Sequence, residues 1–211
     1  MKPTLFALLL ASSLAFGQKF QDVTAKDSPL SLSIRLCPGD SERCVFAHNN
    51  SSKGVLALDA IVKLTDAKGE LVTLYARQDY AFKFGPLEFR EERPIALAEG
   101  TEPDEKVAQA VGAVLWVQFE DGSIWGDPES GKTLRGTRPQ RLSFLKRLVE
   151  TYYESGEDAF NAILNDANLP RAERSVAGCL KADSEYLKLA PIDLAKKELG
   201  DAQGWNASGL F

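Results

Sequence analysis

Apolar and polar residues alternate along much of the chain between residues 30 and 125, which is the pattern of β-strands with one buried face. The clearest example runs from Leu56 to Thr65 and is closed by a turn at 66–69. Further strands are predicted at 30–36, 44–49, 71–76 with a continuation towards 84, 94–98, 107–119 and 123–125. Short strands separated by turns, with no helices between them, favour an antiparallel immunoglobulin-like β-sandwich of about seven strands.

After residue 135 the apolar positions recur every three or four residues, which predicts helices. Gly136 and Pro139 are expected to prevent a helix from starting earlier than the cap at 137–139. Helices are predicted at 137–155, 159–168, 172–187 and, as a short fourth element, 192–199. The sequence therefore predicts an α+β protein, with a sandwich over 18–136 and three to four helices over 137–211 packed on or beside it.

The first 17 residues have the organisation of a signal peptide. Lys2 gives a positive start, an apolar run follows over 5–16, and Ala15 and Gly17 form a small-residue cleavage site. The apolar run is shorter than the roughly 20 residues needed to span a bilayer, and no later stretch reaches that length without charges. We therefore expect a secreted or periplasmic protein without an integral membrane segment after cleavage.

Charge and cysteine content narrow the classes of partner and site. With 25 basic and 30 acidic residues and no strongly basic segment, a nucleic-acid partner is not expected. Cys37 and Cys44 flank a turn-forming segment, which predicts a disulfide in an exported chain, and Cys179 is expected to be buried in a helix. His48 is the one histidine, so neither a metal site, a cofactor nor a catalytic set is predicted.

The segment from Gly126 to Thr133 matches the phosphate-binding loop pattern, with Gly131 and Lys132 in the required places. A functional loop needs a helix that begins at the lysine, and Gly136 is expected to break it. The acidic side chains of the loop would also repel a polyanion. We interpret the match as a chance similarity in an exposed turn, and no nucleotide site is predicted.

Two tryptophans flank a predicted hairpin. A two-residue turn at Asp121–Gly122 would pair Gln118 with Trp125 and place Trp116, Gln118 and Trp125 together on the outer face of the sheet. Either the C-terminal helices cover this face, or it forms a platform on which a sugar or peptide stacks. These three residues are the candidate ligand-binding set.

The stretch from Trp116 to Asp127, after many strands and before amphipathic helices, resembles uncharacterised exported bacterial proteins. In these proteins an immunoglobulin-like or fibronectin-like sandwich carries a helical tail, and the resemblance covers about residues 30–165. It brings no catalytic residue. The close spacing of Cys37 and Cys44 departs from the disulfide between sheets that antibody domains contain.

These observations favour a secreted, non-enzymatic binding or interaction protein of the cell envelope or extracellular space, whose partner is an unidentified protein or a glycan. One alternative is a carbohydrate-binding module that uses the Trp116 and Trp125 pair. Another is an enzyme of unfamiliar type, which would require a cleft with convergent carboxylates.

Overall fold

The computed structural model describes residues 19–36, 43–66, 68–82, 85–95 and 107–209. This part of the chain forms an α+β protein, as predicted. The strands are β1 Lys19–Asp22, β2 Leu30–Leu36, β3 Arg43–Asn49, β4 Val55–Asp66, β5 Leu71–Asp79, β6 Glu92–Ile95, β7 Val107–Phe119 and β8 Ile124–Gly126. The helices are α1 Lys132–Leu164, α2 Arg171–Leu187 and α3 Pro191–Ala207. The predicted signal peptide at 1–17 lies outside the described residues.

The strands form a five-stranded sheet and a three-stranded sheet. The first has the order β1-β7-β4-β5, with β8 also paired to β7, and the second has the order β2-β3-β6. The expected wholly antiparallel arrangement is wrong, because β1 pairs with β7 in parallel. Sequence alternation did not indicate β1, since the segment has only four residues.

One hydrophobic cluster contains residues of both sheets. Alternate positions of β4 contribute Leu58, Ala60, Val62 and Leu64, all with 2% exposure or less. Leu32 and Val45 contribute from the three-stranded sheet. The period-two burial of β4 is therefore the physical basis of the strand pattern in the sequence.

The chain divides into two compact units. The sheet unit contains the described residues up to 80 and from 86 to 132, and the helical unit contains those of 81–85 and those from 133 onwards. Within the described residues, no helix is both long enough and apolar enough to cross a membrane.

Helix α1 starts earlier than predicted, at Lys132, and continues through Gly136 and Pro139. Pro139 costs one backbone hydrogen bond, but Leu134 and Arg138 are buried in this first part of the helix. Packing along a buried face outweighs such local signals. The predicted break near 156 does occur as a kink, because Gly156 has non-helical angles of φ 83 and ψ −175.

Ion pairs join α1 to both of the other described helices. A guanidinium nitrogen of Arg141 in α1 lies 2.7 Å from Oε2 of Glu198 in α3. Arg147 in α1 pairs with Glu173 in α2. Helix α3 extends to Ala207, well past the predicted end at 199, and begins with Pro191 at a position where a proline fits.

Candidate functional site

The structure places Trp116 and Trp125 on opposite faces of the sheet. Val117, not Gln118, lies opposite Trp125, so the predicted register is wrong by one residue. The N–H of Gly122 donates to the Phe119 carbonyl oxygen, and the Phe119 N–H donates to the Ser123 carbonyl oxygen, both at 3.0 Å. The loop therefore has three residues and ends in Gly122 at φ 82, the left-handed conformation that such loops require.

This shift of one residue determines what each tryptophan contacts. Trp125 is half-buried, packs against the hydrophobic cluster and directs Nε1 towards Oδ2 of Asp27 at 3.4 Å. Trp116 is fully buried on the other face. A paired aromatic platform of Trp116, Gln118 and Trp125 does not form, since a slip of one position moves a side chain to the other side of a sheet.

Trp116 and Gln118 are instead part of a buried polar region on the outer face of the five-stranded sheet. Asp59 of β4 lies directly opposite Trp116 of β7 and is 2% exposed, and Gln118 is 4% exposed. Within the part of the chain that the structure describes, Oδ1 of Asp59 has no hydrogen-bond partner. Asp59 is the residue that sequence reasoning missed, although a carboxylate within the otherwise apolar first part of β4, residues 55–62, was a usable signal.

Arg77 of β5 lies opposite Asp59 of β4, with Nε 3.3 Å from Oδ2. Burial raises the pKa of the Asp59 carboxyl, and Arg77 opposes that rise without cancelling it. Because the Arg77 side chain is 44% exposed, this pair links a buried carboxyl to the protein surface. The Arg77 guanidinium also lies 5.6 Å from the centre of the Tyr75 ring.

The phosphate-loop match is followed by a helix that begins at Lys132, contrary to the expectation from Gly136. Three backbone N–H groups of the loop nevertheless donate hydrogen bonds within the loop. The N–H of Glu129 donates to Oδ1 of Asp127, that of Ser130 to the Asp127 carbonyl oxygen, and that of Lys132 to the Glu129 carbonyl oxygen. A Cβ on Gly131 would lie 2.2 Å from the Trp116 ring, so the loop packs on protein and does not form an open cradle for phosphate.

The remaining candidate residues are dispersed. His48 is half-buried in β3, and the described residues contain no group of three or more His, Cys, Asp or Glu side chains placed to hold a metal ion. Cys44 lies in β3, while Cys37 is outside the described residues, so their disulfide stays a prediction. The expectation that Cys179 is buried is wrong, because the buried residues of α2 are Val176, Ala177 and Leu180.

Strand β5 presents an open edge of the five-stranded sheet. Among the described residues, β5 pairs only with β4, in a register without interruption from Ala57–Asp79 to Thr65–Leu71. Leu71 is 59% exposed and Tyr75 is 47% exposed. The strand contains neither proline nor lysine, two residues that commonly protect sheet edges.

The hydrogen bonds at the two ends of β5 show which backbone groups point outwards. The Tyr80 N–H donates to the Leu56 carbonyl oxygen, and the Asp66 N–H donates to the Glu70 carbonyl oxygen. Antiparallel ladders bond at every second residue, so the even-numbered residues of β5 bond to β4. The odd-numbered residues, including Thr73 and Tyr75, direct N–H and C=O away from the sheet.

The other described edge strands are shorter than β5. Strands β1, β6 and β8 have four, four and three residues, and Pro94 removes a donor from β6. On β2, the Leu32 N–H donates to Oδ2 of Asp22 at 2.7 Å. This contrast makes the edge of β5 the candidate functional site. Sequence alternation did not indicate it, because the pattern predicts strands but not their order in a sheet.

Comparisons of this chain with protein-family models, with curated proteins and with solved structures found no match.

Proposed function

We propose that this chain is an exported, non-enzymatic binding protein that accepts an extended protein segment as an additional strand on β5. The observation that carries the proposal is the nine-residue, uninterrupted edge of β5, in a protein whose other described edge strands are shorter. In this proposal the signal peptide at 1–17 delivers the protein to the outside of the cytoplasm. The proposal also treats the two sheets, which share one hydrophobic cluster, as a variant of the immunoglobulin-like sandwich expected from the sequence.

Strand addition fits the chemistry of this edge. The outward N–H and C=O groups supply main-chain hydrogen bonds to any extended segment, and the neighbouring side chains select among segments. Leu71 and Tyr75 offer apolar contact, and Arg77 offers a charge-assisted donor, all from alternate positions on one face. At an edge of this kind, main-chain hydrogen bonds supply the affinity and side-chain contacts supply the specificity.

A proline at position 73 tests the proposal. Thr73→Pro removes an outward N–H but no hydrogen bond to β4, whereas Thr73→Ala changes the same side chain and keeps the N–H. Extended peptides selected by phage display on the mature protein at low concentration are expected to bind with an affinity that Thr73→Pro lowers at least about tenfold and Thr73→Ala leaves within about threefold.

Amide hydrogen exchange locates the contact. The amides of residues 73, 75 and 77 should exchange more slowly when the selected peptide is bound, because they become donors to it. Equal peptide affinity for both variants, or slowed exchange elsewhere only, would contradict strand addition at β5.

A further inference from the structure

We propose that the segment which pairs with β5 is the β5 strand of a second copy of this chain. This inference rests on the proposed function, since it names the partner of the same edge. A strand paired antiparallel with its own copy is related to it by a two-fold axis, so each register is defined by the residue on that axis. The sequence of β5 then determines which register is favoured.

Arg77 distinguishes the neighbouring registers. With Leu74, Tyr75, Ala76 or Arg77 on the axis, Arg77 faces Leu71, Thr73, Tyr75 or Arg77 of the second copy, respectively. The last register brings two like charges together, which destabilises a cross-strand pair. The register with Ala76 on the axis places each guanidinium opposite an aromatic ring, which is the favourable partner for a cation.

The contacts of Arg77 within one copy already orient its side chain for this pairing. Oδ2 of Asp59 holds Nε of Arg77 at 3.3 Å, and the guanidinium already lies 5.6 Å from its own Tyr75 ring. Both side chains are exposed, and they lie on the same face of the strand. The register also pairs odd-numbered residues with odd-numbered residues, as the outward backbone groups require. The outward backbone groups and the side chains of β5 are therefore both complementary to those of β5 in a second copy.

Sedimentation velocity of the mature protein tests the inference. We expect a monomer–dimer equilibrium whose dimer fraction rises with concentration up to about 200 µM. Thr73→Pro should shift that equilibrium at least about tenfold towards monomer, and Thr73→Ala should not. Folding of each variant is checked by far-ultraviolet circular dichroism. A monomer across the whole range, or a dimer that Thr73→Pro leaves unchanged, would overturn the inference.

Cysteine pairing tests the register. In a Cys179→Ser background, an equimolar mixture of Tyr75→Cys and Arg77→Cys chains should form an intermolecular disulfide, because these positions face each other. Tyr75→Cys alone should cross-link much less, and efficient cross-linking of that variant alone would overturn the register. A monomer that still binds the selected peptides in a Thr73-dependent way would refute self-pairing and leave the proposed function standing. Loss of both would refute both.

Discussion

The indole ring of Trp116 packs directly against the backbone at Gly131, so closely that a Cβ on residue 131 would lie 2.2 Å from Cε2 of the ring. Trp116 is fully buried, so its ring has little room to withdraw. This contact fixes the loop before α1 onto the outer face of β7 and explains why a small residue stands at position 131.

We expect Gly131→Ala to lower the free energy of unfolding by about 1 to 3 kcal/mol, the usual cost of adding a methyl group to a filled site. The matched control is Gly136→Ala in α1, where a Cβ meets nothing within 4 Å. There, the better helix propensity of alanine should raise stability by about 0.5 to 1 kcal/mol. Urea unfolding measures both variants, and equal effects would contradict the close packing on Trp116.

Asp59 should make stability depend on pH. Burial raises the folded-state pKa of its carboxyl above the ordinary value of 3.8, so folding favours the protonated form. Its contribution to stability is present below pH 3.8 and is lost as the pH rises through the raised pKa. Compared with the wild type, Asp59→Asn should therefore become relatively more stable over that interval, as measured by urea unfolding at a series of pH values.

Arg77→Gln supplies an independent check on the same carboxyl. Arg77 lowers the pKa of Asp59, so its removal should move the pH-dependent loss of stability to higher pH. Direct titration of Asp59 by carbon-13 nuclear magnetic resonance of its carboxyl in both proteins measures the shift. An unchanged or lower pKa in Arg77→Gln would show that the two side chains do not interact in solution.

The ion pair between Glu198 and Arg141 should contribute to the stability of the helical unit. Its side chain is 5% exposed and accepts a hydrogen bond from Arg141, which also lies 4.4 Å from the Phe82 ring centre. Removing one partner of a mostly buried pair leaves the other charge poorly solvated. We expect Glu198→Gln to destabilise by about 1 to 3 kcal/mol.

The exposed pair of Lys146 and Glu150 provides the control for this prediction, with side-chain exposures of 62% and 56%. Glu150→Gln should change the unfolding free energy by less than about 0.5 kcal/mol. Thermal and urea unfolding of both variants measure the difference. Similar small effects at the two positions would mean that the Arg141–Glu198 contact contributes no more than a surface pair.

The two hairpin tryptophans should differ in accessibility. Trp116 is fully buried, whereas Trp125 is half-buried at the surface of the cluster. In single-tryptophan variants, acrylamide should quench the fluorescence of Trp125 several-fold more strongly than that of Trp116. A Trp205-only variant, half-buried on α3, provides a reference. Equal and strong quenching of Trp116 and Trp125 would restore the shared exposed face that the hairpin register excludes.

Most strands could be predicted from the sequence. The burial of alternate residues in a strand is what produces the alternation of apolar and polar residues in the sequence. β7 has its predicted bounds, and β2 does as well. Local signals failed where packing decided the outcome. Pro139 does not stop α1. Asp121 and Gly122 belong to a three-residue loop that starts at Glu120, because the same dipeptide fits two loop lengths.

The candidate site was less predictable than the elements. Which strand stands at an edge depends on strand order, a long-range property that no local pattern contains. The tryptophan platform failed for a related reason, since a register slip of one residue reverses the face of a side chain. Asp59 alone had a local signal, as an acid within the apolar run at residues 55–62 of β4.

The pairing of β1 with β7 has a consequence for the order in which this protein can fold. Oγ1 of Thr24 accepts a hydrogen bond from the N–H of Val114, 90 positions further along the chain. If the chain is exported from its amino terminus, β1 is the first of the described strands to emerge. It cannot pair with β7 until nearly half of the protein has followed it. Closure of the five-stranded sheet is thus a late folding event with a high contact order.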